Sequence, residues 1–228
     1  MKLHYHGHSC FSIYTASAHL IIDPFLNNSP VADVSATELS PDYVLITHGH
    51  SDHFGDALEL GQKGATIIST AEIAEYCENK QLPNIHSMQI GGGYPFPFGY
   101  VKMTPATHGS MITEDGKPIA AGCPGGFLIK ADGLTLYHAG DTGLTMEMEL
   151  LARFESIDLA LLPIGGNFTM DPTDALRALQ ILKPRYVIPM HYNTFPLIAQ
   201  DAHIFAKAAK DLGIDCIVLT PGKSYELA

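Results

Sequence analysis

Along this chain, short apolar runs alternate with clusters of glycine, proline and polar residues, and the runs are mostly continuous or of period two. Leu3–His6, Phe11–Tyr14 and His19–Ile22 are separated by Gly7–Ser9 and Ala16–Ala18, which predicts an opening sheet. Phe25–Pro41 has little periodicity and reads as a loop. Tyr43–Ile46 is a buried strand, and Asp56–Gly61 a short helix ended by Gly61. Ala65–Ser69 reads as a strand and Ala71–Asn79 as a helix capped by Thr70. Ile85–Ile90 and Tyr100–Thr104 read as strands around an aromatic loop, Gly91–Gly99. Gly109–Gly126 has no clear period, and an irregular span of that length reads as a substrate-facing loop.

The second half repeats the scheme. Phe127–Lys130 and Leu134–Tyr137 form a hairpin around Ala131–Gly133, followed by a helix over Met146–Phe154 and a strand over Leu159–Leu162. Asp171 caps the next helix with Pro172 in its first turn, and Ala175, Leu176, Leu179 and Leu182 keep helical spacing. Tyr186–Met190 is a strand, Ile198–Leu212 a helix closed by Gly213, and Cys216–Leu219 the last strand. Sheets in both halves, each followed by helices, imply two packed sheets with helices outside, in one domain over residues 1–228.

Composition narrows the function. A 228-residue chain with 46% hydrophobic residues supports a sizeable core. The formal charge of −11 and the scattered basic residues argue against a nucleic-acid partner, which needs a basic footprint. Cys10, Cys77, Cys123 and Cys216 form no Cys-x-x-Cys pair and fit a reducing compartment. No run reaches membrane-spanning length and Met1–His6 lacks the apolar core of a secretory signal, so a cytoplasmic protein is expected.

One stretch is hard to explain by packing. Thr47-His48-Gly49-His50-Ser51-Asp52-His53 follows the Tyr43–Ile46 strand and holds three imidazoles and a carboxylate within six residues. These are donors that zinc, iron and manganese accept, whereas a closed structural site more often uses thiolates, so an open, reactive site is implied. Side chains two apart in an extended turn point the same way, so His48 and His50 can grip one ion. Asp52 and His53 can face a second, about 3.5–4 Å from the first.

The pattern His-x-His-x-Asp-His resembles the signature of the metallo-β-lactamase superfamily, and the resemblance covers essentially the whole chain. Gly7-His8-Ser9-Cys10-Phe11, Ile22-Asp23-Pro24-Phe25, Leu162–Gly166 and Met190-His191-Tyr192-Asn193-Thr194-Phe195-Pro196 are similar to a branch of metal-dependent hydrolases. A neighbouring branch opens the lactone of ascorbate 6-phosphate. The resemblance implies an α+β fold, an αββα four-layer sandwich of two mixed β-sheets flanked by helices.

It also implies the ligands: His48, His50 and His108 for one ion, Asp52, His53 and His191 for the other, and Asp141 bridging. The expected cofactors are two divalent ions, zinc first, with manganese, iron or nickel as alternatives. Water between such ions ionises near neutral pH, and Asp52 would orient the resulting bridging hydroxide. With both carboxylates ionised the centre carries about +1, which attracts anions despite the acidic chain.

The expected activity is therefore hydrolysis of a small anionic ester or lactone. The alternatives are a phosphodiesterase or nuclease of the same fold, and a non-enzymatic metal-containing ligand sensor. The expected partner is a small molecule, with neither nucleic acid nor membrane, and a homo-oligomer is left open. Two further residues are catalytic candidates. His8 either grips the oxyanion or headgroup, or packs at the sheet end; Asn193 either does the same or satisfies the turn before Pro196. Asp23 either hydrogen-bonds the His-rich loop or starts the turn before Pro24. Thr194, Asn167 and Thr169 are weaker candidates, His138 reads as a satisfied core histidine, and His4, His6 and His86 as solvent-facing.

Overall fold

The computed structural model describes residues 1–228. Strands β1 (Lys2–Gly7), β2 (Cys10–Tyr14) and β3 (His19–Ile22) form an antiparallel meander, and β4 (Tyr43–Leu45), β5 (Thr66–Thr70) and β6 (Ile85–Met88) add to it in parallel. Parallel pairing needs crossovers: the loop 23–42 joins β3 to β4, α1 (Ser51–Phe54) and α2 (Ala57–Gln62) join β4 to β5, and α3 (Ala71–Asn79) joins β5 to β6. A hairpin of β7 (Gly93–Phe96) and β8 (Gly99–Pro105) opens the second sheet, and a separate hairpin of β9 (Met111–Glu114) and β10 (Lys117–Ala120) follows. Then come β11 (Gly125–Ala131), β12 (Leu134–His138), α4 (Glu147–Phe154), β13 (Leu159–Pro163), α5 (Pro172–Leu182), β14 (Tyr186–Met190), α6 (Ala202–Asp211), β15 (Asp215–Cys216) and β16 (Lys223–Glu226).

The sheets have the orders β16-β1-β2-β3-β4-β5-β6 and β15-β14-β13-β12-β11-β8-β7. Their inner faces share one core: Leu3, Tyr5, Phe11, Ile13 and Leu45 of the first sheet meet Val101, Phe127, Leu136, Leu161 and Ile188 of the second. A second cluster packs α4, α5 and α6 on the outer face of the second sheet, and a third packs α2, α3 and the β9–β10 hairpin on the first. The result is the expected αββα sandwich of two mixed sheets. No helix is long and apolar enough to cross a membrane.

Several local expectations change. Gly61 lies inside α2, and Gly64, with φ +107°, makes the turn that follows. Thr70 occupies the N-cap of α3 without a capping bond. The aromatic loop contains β7, with Tyr94 and Phe96 packed on the partly covered His86. The Gly109–Gly126 span is largely the β9–β10 hairpin. The last helix begins at Ala202, because Asp201 accepts from the backbone N–H groups of His203 and Ile204 and caps it there. The final strand is Lys223–Glu226, paired with β1 in the opposite sheet.

This topology determines where chemistry can sit. The parallel sets β3–β6 and β12–β15 carry their C-terminal ends to one edge of the sandwich, the edge where open α/β sheets place ligands.

Candidate metal centre

The loops leaving that edge bring together all seven expected metal ligands. His48, His50, Asp52 and His53 follow β4, His108 follows β8, Asp141 follows β12 and His191 follows β14. Their donor atoms fall into overlapping groups: His48, His50 and His108; His48, His53 and Asp141; and Asp52, His53 and His191 together with His8. Asp141 Oδ2 lies 3.2 Å from His53 Nε2, 3.5 Å from His108 Nε2 and 2.9 Å from His191 Nε2.

The cluster fits metal better than it fits hydrogen bonding. His50 Nδ1 is 3.0 Å from His48 Nε2 and 3.2 Å from His108 Nε2. A ring nitrogen carries one proton or one lone pair, so it can satisfy only one of these neighbours. Donors about 2.0–2.1 Å from a tetrahedral ion lie roughly 3.3 Å apart, close to the spacings found. His53 Nε2 and Asp141 Oδ1 are buried without any hydrogen-bond partner, the condition a cation would relieve.

Asp23 decides which nitrogens face inward. Its Oδ2 accepts from Thr47 Oγ1 at 2.7 Å and from His53 Nδ1 at 2.8 Å, and its Oδ1 accepts from the Thr47 backbone N–H. Because the Thr47 hydroxyl donates to Asp23, its oxygen accepts from His48 Nδ1 at 2.9 Å. Both histidines thereby keep a proton on Nδ1 and turn Nε2, the nitrogen that would meet a metal, to the centre. Asp23 thus takes the first of its two sequence readings, and Thr47, which carries no motif of its own, is the relay that sequence reasoning missed.

His8 and Asn193 land elsewhere than at the mouth of the centre. His8 is fully buried, with Nε2 at 3.1 Å from Asp52 Oδ2 and Nδ1 at 2.9 Å from Thr194 Oγ1. With both nitrogens engaged it aims Asp52 and has no free atom for an oxyanion. The exposed Asn193 accepts from the Gln200 backbone N–H through Oδ1 and holds a turn, which is the plainer of its two readings. His138 accepts from Gly140 N–H and bonds the Ser9 carbonyl, a satisfied core histidine that also steadies the Asp141 turn. His6 is 1% exposed and bonds Asp33 and Ser12, so it does not face solvent as expected, whereas His4, which also bonds Asp33, stays partly exposed.

Electrostatics reinforces the arrangement. Burial opposes ionisation of Asp52, but the His8 hydrogen bond and the His53 charge overcome it and hold the carboxyl below its usual range. Burial also opposes ionisation of Asp141, and His53 and His191 again prevail. Desolvation pushes His48 well down and brings His8 to about 4. His53 goes the other way: despite its burial, Asp141 and Asp23 raise it well above the usual value.

Backbone strain collects at the same edge. Of nine non-glycine residues with positive φ, five are His8, Asp23, Asn167, His191 and Asn193. Each costs on the order of 1–2 kcal/mol and persists where surrounding structure over-determines it. Gly49 is required for a different reason: a Cβ there would meet Ala121 Cβ at 2.6 Å, where the β9–β10 hairpin closes over the metal loop. The centre opens to solvent at the half-buried His50, Asp52 and His108, and a separate apolar groove of about 340 Å³ lies along α4 beside Lys102, Tyr137 and Met148.

Known proteins share this chain's features. A family described as "Beta-lactamase superfamily domain" matches residues 2–191. A UPF0173 metal-dependent hydrolase of Pelotomaculum thermopropionicum is 49% identical, with 100% of each chain covered. Another, of Enterococcus faecalis, is 47% identical over 98% of this chain and 99% of its own. Among solved structures, Igni18, a metallo hydrolase of the archaeon Ignicoccus hospitalis, superposes with a TM-score of 0.89 at 37% identity, covering 100% of this chain and 99% of that one.

Proposed function

Because the chain belongs to the β-lactamase superfamily, and within it to the UPF0173 metal-dependent hydrolases, we propose that it hydrolyses a small ester or lactone at a centre for two divalent ions, zinc first among them. One observation carries the reading. The donors divide into a histidine triad, His48, His50 and His108, and a second group, Asp52, His53 and His191, with Asp141 within 3.5 Å of members of both. Ions bound there would supply a water acidified to a pKa near ~7 and a Lewis acid for the scissile carbonyl.

The chain's own residues do the rest. Asp23 and Thr47 keep His48 and His53 in the tautomers that can bind metal. His8, held by Thr194, fixes Asp52 as an ionised carboxylate able to orient the attacking water. A carbonyl substrate is favoured over a phosphodiester because loops 23–35, 46–56, 139–147, 163–171 and 191–201 contain no lysine or arginine. Phosphate recognition draws on such cations.

The test is paired hydrolysis of a lactone panel and a phosphodiester panel by zinc- or manganese-loaded protein, with Asp52→Ala as the blank. Lactone turnover that Asp52→Ala abolishes is expected. Turnover of phosphodiesters alone would reverse the reading, and silence on both would favour a sensor.

A further inference from the structure

The loops that carry the metal donors also carry uncovered apolar side chains. Met111, Phe168, Phe195 and Leu197 are 39%, 53%, 40% and 71% exposed. Met111 starts the hairpin just after His108, Phe168 follows β13, and Phe195 and Leu197 follow His191. The Phe195 ring lies 5.8 Å, centroid to centroid, from His8, the residue that aims Asp52.

Scattered surface hydrophobes need no explanation, but several on the very loops that carry the donors of a reactive centre do. These loops are stitched together: Met170 N–H donates to Thr142 O at 2.9 Å, Gly143 N–H to Thr107 O at 3.1 Å, and Gln200 Nε2 to Gly165 O at 3.1 Å. Tied backbones hold the side chains outward beside the centre.

Charge points the same way. Apart from the hairpin, whose Lys117 sits opposite Glu114 next to the tip, the loops of this edge contain no basic residue. They end instead on acids, Glu147, Asp171 and Asp201. An anionic substrate would find no counter-charge outside the ions themselves.

We propose that this rim is an acyl-binding subsite, and that the substrate is a neutral ester or lactone whose hydrocarbon chain lies on Phe195, Phe168 and Leu197. This refines the hydrolase reading and rests on it. It replaces the anionic substrate expected from sequence. In the reaction the oxygen of water joins the carbonyl carbon, the acyl C–O bond breaks, one proton of the water passes to the departing alcohol oxygen and the other is released to solvent. The product is a carboxylate, which the acidic loops do not retain.

The experiment separates the subsite from the chemistry. Calorimetry follows n-alkyl hydroxamates, from acetohydroxamate to octanohydroxamate, binding to zinc-loaded protein, and turnover of γ-butyrolactone through γ-nonalactone is measured in parallel. Affinity should tighten about threefold per methylene over the first few carbons. The double variant F168A/F195A should flatten that slope, while Phe154→Ala, on α4, should leave it intact. A flat wild-type series, or tighter binding of succinic monohydroxamate than of an alkyl hydroxamate of equal length, overturns the subsite. Chain-dependent binding without lactone turnover upholds the subsite and sinks the hydrolase reading, whereas turnover with a flat series does the reverse.

Discussion

Two groups of histidines grow from this fold, and they differ in what their nitrogens lack. On the outer face of β1, His4 bonds Ser224 and Asp33 at 2.9 and 2.7 Å, and His6 bonds Asp33 and Ser12 at 2.7 and 2.9 Å. Every ring nitrogen has a partner, and the Asp33 carboxylate gives one oxygen to each ring. At the strand-end edge, His53 Nε2, His191 Nδ1 and Asp141 Oδ1 are buried and unpartnered, and His50 Nδ1 is shared by two neighbours. Both groups contain metal-binding residue types within reach of one another. What separates them is residual valence: the first group is a closed hydrogen-bonded clasp, and the second is complete only with cations.

The strongest break of this contrast is at the metals. Asp141→Ala or His108→Ala should remove at least one bound metal equivalent per chain and lower kcat/KM by about 10³-fold. Asp33→Ala should keep the parent's metal content and turn over within about twofold of the parent. Metal analysis after gel filtration, with lactone kinetics, reads both; equal metal loss in the two classes would erase the distinction.

A second contrast concerns acid. His8 has a folded pKa of about 4 against an ordinary 6.5, with desolvation the main cause. The unfolded chain therefore binds the extra proton between those values, so this contribution is complete above about pH 6.5 and is lost as pH falls toward 4. The loss is on the order of 3 kcal/mol. Urea unfolding of metal-free protein at pH 7 and pH 4.5 should show it, and His8→Asn should shrink it; an unchanged pH dependence in that variant would assign the loss to other groups.

The smallest effect belongs to the clasp. Asp33→Ala strands two imidazoles, one of them buried, and should cost about 1–3 kcal/mol in urea unfolding. A neutral result would mean that Ser12 and Ser224 suffice to satisfy the rings.

Much of this was legible before any coordinates. The strands at Tyr43, Leu159 and Tyr186 announce themselves by continuous apolar runs buried on both faces, and Asp171 caps α5 through the Asp174 N–H as its sequence implies. The donors follow those strands, so their convergence was legible too. The β9–β10 hairpin was not, because each of its strands buries or half-buries a single isoleucine, Ile112 or Ile119, and Pro118 interrupts the second. Its one signal was Asp115-Gly116, a two-residue turn whose φ angles of +50° and +72° suit a hairpin. β16 was hidden for another reason: Lys-Ser-Tyr-Glu has no apolar run, and only its distant partner β1 makes it a strand. His8 and Asn193 show the remaining limit, since residue type does not tell whether a polar group faces the substrate or its own scaffold.

The pairing of β1 with β16 has a consequence for biogenesis. Met1 and Leu227 exchange backbone hydrogen bonds across 226 positions, and His191 N–H donates to the carbonyl of His8 across most of the same span. During synthesis the edge of β1 that β16 covers stays open until residue 226 has emerged. Contacts of such separation are slow to close. The first sheet is thus complete only once β16 has been made, and His191 joins the donors of the loop after β4 only once β14 has followed, so an ion captured in between would meet a half-built coordination sphere.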